Sequence, residues 1–267
     1  AQQHIQRRQD EGVLMRAGRT FAAALALAVL GLAPARAAEP VELPRIAWSF
    51  SGPFDRFDRE ALRRGFEVFT QGCQFCHGLT YVAYHNLAAL GYSEQEIIDI
   101  AAKLEVIDGP NDRGEMFRRA ARISDRMPLP FVNAQAARAA NNGAYPPDLS
   151  LIVKARAGGA DYIYGVLTGY TEAPGDMTVQ PGLYYNKFFP GHQIAMPPPL
   201  RKDGVTYSDG TEATVEQMAY DVVTFLSWAA EPMLEERKRV GIQVILFLIG
   251  FAALVFAIKQ RVWARLH

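Results

Sequence analysis

The chain has only two cysteines, Cys73 and Cys76, and both lie in the stretch QGCQFCHGLT, residues 71–80. They stand three apart, and His77 follows directly. Three chemistries fit two neighbouring thiols and an imidazole. These are a dithiol–disulfide couple, half of a zinc site, and covalent attachment of a c-type haem. Zinc wants two further Cys or His at short spacing. The remaining histidines are His4, His85, His192 and His267, none of them paired, and no third cysteine exists. A thioredoxin-like dithiol expects a strand before the motif, whereas here helical spacing precedes it. Haem attachment needs what is present: two thiols for the two vinyl groups and a histidine placed under the iron.

Haem iron used for electron transfer is six-coordinate, which calls for a second axial ligand. Met196, in GHQIAMPPPL, stands on a loop stiffened by three following prolines. His192, four residues earlier, is its rival. Met218 falls on the apolar face of a helix and reads as core, Met233 adjoins an apolar segment, and His85 reads as a helix or surface residue. Iron with histidine and methionine ligands has a raised potential and no open position for a substrate.

These residues need elements to hold them. Leu62, Phe66 and Phe69 recur at helical spacing, which predicts a helix from Asp58 to Gln71 leading into Cys73. Ser93 and Glu96 form a capping box for a helix reaching about Leu104. A short helix is expected over Ala134 to Ala140, and one of about two turns after Gly159. Thr214 caps another that runs to about Ala230, with Val215, Met218, Val222, Phe225 and Leu226 on its apolar face. No strand alternation is convincing. The expected class is mostly α, with long loops that a large rigid cofactor would hold in place.

Charge and hydropathy set the location. The net charge is zero overall, but residues 38–236 carry 17 Lys plus Arg against 26 Asp plus Glu. From Asp161 to Glu236 the balance is 3 against 11, which suits a basic partner and disfavours nucleic acid. Arg16 and Arg19, the apolar run Phe21 to Ala33, and Ala35-Arg36-Ala37 together read as an export signal over residues 15–37. Val240 to Ile258 contains no charge and spans roughly 28 Å at helical rise, enough to cross a bilayer. Basic residues flank both ends of this span, so the export signal decides the orientation: the domain before it outside, the tail from Lys259 cytoplasmic.

Taken together, CxxCH with YVAYHNL, DGPNDRGEMF, AARAANNGAYPPDLSLIVKAR, VLTGY, GLYYNKFFPGHQIAMPPPL and VVTFLSWAAEP resembles the cytochrome c1 family, the haem subunits of quinol–cytochrome c oxidoreductases (bc1 complexes). The resemblance covers about residues 40–267. It implies haem c held by Cys73 and Cys76, with His77 and Met196 as the axial ligands. It places Arg156 and Tyr162 at the haem propionates, and Asn141, Ala144, Pro146 and Pro147 on a loop packed against the haem. It also implies an electron-transfer subunit that performs no bond chemistry of its own. The implied partners are cytochrome b, a Rieske iron–sulfur protein as donor and a soluble cytochrome c as acceptor, in a dimeric complex of a bacterial inner membrane with the haem domain in the periplasm. Some relatives carry an additional disulfide-forming cysteine pair, which this chain lacks. Others are made joined to cytochrome b, and residues 1–14 are accordingly expected to derive from a precursor. The expected organisation is then a haem domain over residues 38–236 and an anchor over residues 237–267. An anchored oxidase subunit, a free membrane electron shuttle and an exported thiol oxidoreductase are the rival readings.

Overall fold

The computed structural model describes residues 41–264 apart from position 176. The expected precursor tail (residues 1–14) and export signal (15–37) lie outside the described residues. The protein is mostly helical. The first helix, α1 (Arg59–Val68), is capped by Asp58, whose carboxylate accepts the Glu60 and Ala61 amides at 2.9 and 3.2 Å. Leu62, Phe66 and Phe69 are buried together as their spacing predicts. The α-helix does not reach Gln71, however. It opens into one wide π turn, Phe69–Cys73, in which the Gln74 amide donates to the Phe69 carbonyl at 2.9 Å.

The 3₁₀ segment Tyr84–Leu90 follows, and then α2 (Glu94–Ala101), with the Ser93–Glu96 capping box in place. It stops three residues short of Leu104. Next comes an antiparallel hairpin, β1 (Glu105–Asp108) against β2 (Phe117–Ala120), with Glu105 opposite Ala120. A second, shorter pair joins β3 (Tyr184–Tyr185) to β4 (Gln193–Ile194). Alternation did not reveal these strands because neither pair buries one face: β1 alternates only between exposed and half-buried, and β2 is rich in arginine. Helix α3 (Ala134–Ala140) has the bounds expected of it, and α4 (Gly159–Thr168) is longer than two turns.

The core forms where α1 crosses α5 (Val215–Ala230), the most extensive helix pair. A side chain at Gly65 would place its Cβ 2.0 Å from the Asp221 carbonyl oxygen and 2.6 Å from Phe225 Cβ. Only glycine permits this approach, and its usual cost inside a helix is offset by the packing it allows. Around the crossing, Met218, Val222, Phe225 and Leu226 are buried as predicted. Fully buried Asp221 is satisfied by Arg64 at 2.9 and 3.1 Å, Tyr207 at 3.0 Å and Gln217 at 3.0 Å. This network locks the helix that delivers Cys73 onto the core.

Helix α6 (Leu234–Trp263) is 30 residues long, and its apolar run is exposed along residues 243–258. Its length and composition are those of a membrane-crossing helix.

Candidate haem-binding site

The π turn sets the start of the site. It widens the last turn of α1, and the Cys73 carbonyl then accepts both the Cys76 amide (3.1 Å) and the His77 amide (2.9 Å). This folds CQFCH into one compact turn, with Cys73 partly buried, Cys76 exposed, and the two not joined as a disulfide. Burial and the neighbouring Cys76 push the Cys73 thiol up to about 12. A thiol so hard to ionise is a poor participant in disulfide exchange. Among the described residues, no three His, Cys, Asp or Glu side chains gather as a metal cluster.

His77 is oriented from across the chain. Its Nδ1 lies 2.7 Å from the Pro147 carbonyl oxygen. A ring held through Nδ1–H presents the lone pair of Nε2, the arrangement of a metal-ligating histidine. Burial pushes the His77 imidazole down, opposed in part by the Pro147 hydrogen bond and the Asp148 charge. The neutral ring is thus favoured, which is the ligating form.

Pro147 is held by its neighbours. Asp148 accepts the Thr80 amide at 3.0 Å and the Ser150 amide at 2.8 Å. The Leu149 amide donates to Gly78 O at 2.9 Å, and the Tyr81 amide to Ser150 Oγ at 3.1 Å. Residues 147–150 are thereby laced along residues 77–81. Asn141 ends α3, its side chain donating to Ala137 O at 2.7 Å and its carbonyl accepting the Ala144 amide at 2.9 Å. Asn141, Ala144 and Pro146 therefore sit on the loop that brings Pro147 to His77.

Met196 stands on a separate loop that follows β4. The Tyr170 hydroxyl donates to the Met196 carbonyl at 3.0 Å, and burial pushes that hydroxyl's pKa up. The segment just before Cys73 meets the one just after Met196: Gln71 and Gly72 line one cleft of about 260 Å³ with Pro198, Pro199 and Leu200. His192, the rival ligand, has a left-handed backbone (φ 58°) and stacks on Tyr185 at 5.8 Å. Its Nδ1 is buried without a hydrogen-bond partner among the described residues.

Arg156 and Tyr162 are neighbours at the start of α4. Burial raises the Tyr162 pKa, and the Arg156 guanidinium offsets this in part. Lys154 pairs with Glu231 at 3.1 Å, whereas Arg156 is exposed and has no ion-pair partner among the described residues. Among the described residues its guanidinium hydrogen-bonds only to the Ala155 carbonyl, at 3.1 Å.

Large apolar side chains surround the His77 turn without being buried. Phe75 and Tyr145 are more than half exposed, and so is Leu129, which lies against Gly78. Such exposed surface marks a place where something docks. Sequence reasoning missed the Pro147 carbonyl as an acceptor and the Tyr170 bond to Met196. The first carries no sequence signal. The second lay within the VLTGY segment but had no spacing to announce it.

The chain is similar to known proteins over most of its length. It is 47% identical over 288 residues to the protein named cytochrome b/c1 of Bradyrhizobium diazoefficiens, covering 97% of this chain and 42% of that protein. It therefore spans less than half the length of that relative. It is 48% identical to cytochrome c1 of Rhodospirillum rubrum, covering 91% of this chain and 94% of that one. It is 47% identical to the mitochondrial cytochrome c1 haem protein of Saccharomyces cerevisiae, covering 83% and 72%. Residues 48–266 match the model of the Cytochrome C1 family. With the match covering most of its length, the chain belongs to the cytochrome C1 family.

Proposed function

We propose that this chain binds one haem c, which Cys73 and Cys76 would hold through thioethers and whose iron His77 and Met196 would ligate, and that it works as an electron carrier of a bc1 complex. The observation that carries the reading is the His77–Pro147 hydrogen bond. It fixes an imidazole beside two unpaired thiols, in the orientation a metal ligand needs. The donor set and the exposed apolar rim both fit the group. When bound, haem supplies a one-electron couple.

The chain's own residues do the rest. The two thiols anchor the group, and the laced loop 146–150 holds the His77 ring still. The three prolines after Met196 and the Tyr170 bond stiffen the opposite loop. Met196 is preferred to His192 because the His192 ring is already stacked on Tyr185. Arg156 and Tyr162 supply a cation and a hydroxyl suited to a propionate. Asn141, Ala144 and Pro146 complete the wall on the Pro147 side. Held by both His77 and Met196, haem would supply electron transfer and no bond chemistry.

The electron arrives from a Rieske iron–sulfur protein and leaves to a soluble cytochrome c. Cytochrome b is the neighbouring subunit in a dimeric complex, and α6 anchors the chain with the haem domain on the periplasmic side. A reduced-minus-oxidised spectrum of the complex purified through this chain tests the reading. A c-type band copurifying with b-type haem and a Rieske signal supports it. A c-type band alone would favour the oxidase-subunit or shuttle reading, and no haem band would overturn it.

A further inference from the structure

The loop of residues 50–56 leaves the core and is tied to the beginning of α6. Lys238 Nζ donates to three backbone carbonyls, those of Phe50 (2.6 Å), Gly52 (2.7 Å) and Asp55 (3.2 Å). A lysine consumed by three carbonyls is a structural clamp, and it fixes the loop two residues before the uncharged run begins at Val240. On that clamped loop, Phe54 is 77% exposed. Pro53 and Phe54 share an open groove of about 310 Å³ with Ile242, which lies inside the apolar run. The charges lining this groove are three acidic (Asp55, Glu235, Glu236) and three basic (Arg56, Lys238, Arg239). Glu236 pairs with Arg239 at 2.5 Å, and Glu235 with Arg59, beside the groove, at 2.7 Å. The groove thus has no net charge to recruit a polar partner. It has a large apolar side chain held rigidly at the level where a membrane-crossing helix enters the bilayer. Exposed aromatic rings at that depth enter the boundary between headgroups and acyl chains.

We infer that the Phe54 loop is a membrane foot: Phe54 inserts into the lipid leaflet beside α6, and the Lys238 clamp sets the distance between the haem domain and the bilayer. The inference rests on reading α6 as a membrane span. Leaving water favours a ring as exposed as Phe54. A protein neighbour seated on the loop is the competing occupant. It is disfavoured because the groove is small and its lining carries no net charge to recruit a charged partner.

The test is photocrosslinking with Phe54→p-benzoylphenylalanine in the intact complex, reconstituted into phosphatidylcholine nanodiscs. The expected result is a mass increase of this chain by one phosphatidylcholine. A crosslink to another polypeptide, or no adduct, overturns the foot. Alkaline carbonate washing of native membranes checks the span independently. Retention of the chain with no lipid adduct at position 54 removes the foot and leaves the anchor standing. Release of the chain removes both.

Discussion

The Nδ1 of His77 and the carbonyl oxygen of Pro147 meet at 2.7 Å across 70 positions of sequence. One is the last residue of the CxxCH motif, and a carbonyl oxygen can only accept, so the ring donates through Nδ1–H. What keeps the carbonyl there is Asp148, through the Thr80 and Ser150 amides. Burial pushes the Asp148 carboxyl up, but the hydrogen bonds from Ser150 and Thr80 outweigh it and hold the group below the usual range. Asp148→Ala is therefore expected to cost about 1–2 kcal/mol in folding stability and to broaden the His77-ligated spectrum as the ring loosens. Denaturant unfolding and low-temperature spectroscopy of the variant read the two effects. A variant with wild-type stability and wild-type line width contradicts the lacing.

Replacing the proposed sulfur ligand should change the iron and leave the fold intact. Met196 is only half-buried, and Met→Leu conserves volume, so the stability change should stay below about 1.5 kcal/mol. Met196→Leu is expected to lower the midpoint potential and to admit carbon monoxide. A redox titration and a carbon monoxide difference spectrum check this. Unchanged potential with no carbon monoxide binding rules out Met196 and returns attention to His192.

The β1–β2 hairpin carries a pH-dependent tie. The Arg119 side-chain hydrogen bonds at 2.6 and 3.1 Å, with the Arg122 amide, hold the Asp125 carboxyl down at about 2. A depressed carboxylate contributes stability above its unfolded value near 4, and this is lost as the pH falls through about 2. Amide protection factors in residues 105–120, corrected for the intrinsic pH dependence of exchange, should thus hold steady from neutral pH to about 4 and fall below that. Protection already lost between pH 7 and pH 5 contradicts the assignment.

The acidic excess after Asp161 needs revision as a docking face. Asp221 is buried against Arg64, Glu231 pairs with Lys154 and Arg237, and Glu235 pairs with Arg59. Glu172, Asp203 and Glu216 are exposed and lack ion-pair partners among the described residues. The net negative field survives, since most of these pairs recruit cations already counted in the domain. Electron transfer to a basic cytochrome should slow as ionic strength rises, and the triple variant Glu172→Gln, Asp203→Asn, Glu216→Gln should flatten the slope. Stopped-flow rates that are independent of salt in the unaltered protein remove steering from the account.

The helices were legible because their signals are local. The Thr214 cap and the apolar spacing place α5 at its observed bounds, and α3 runs over the residues expected of it. The π turn was not legible, since FTQGC reads as a continuation of α1 and only the backbone records the extra residue per turn. The hairpins escaped for want of a buried face. At the site, residue types announce Cys73, Cys76 and His77, and the prolines single out Met196. The Pro147 carbonyl and the clamp at Lys238 could not be read, because each uses a backbone group that every residue possesses.

Mass spectrometry of the peptide containing residues 71–80, taken from the membrane-purified chain, tests the central claim most directly. The account predicts that this peptide carries one haem mass, and that it loses this mass when Cys73 and Cys76 are both replaced by serine. A peptide at its unmodified mass, or lighter by the two hydrogens of a disulfide, would contradict it.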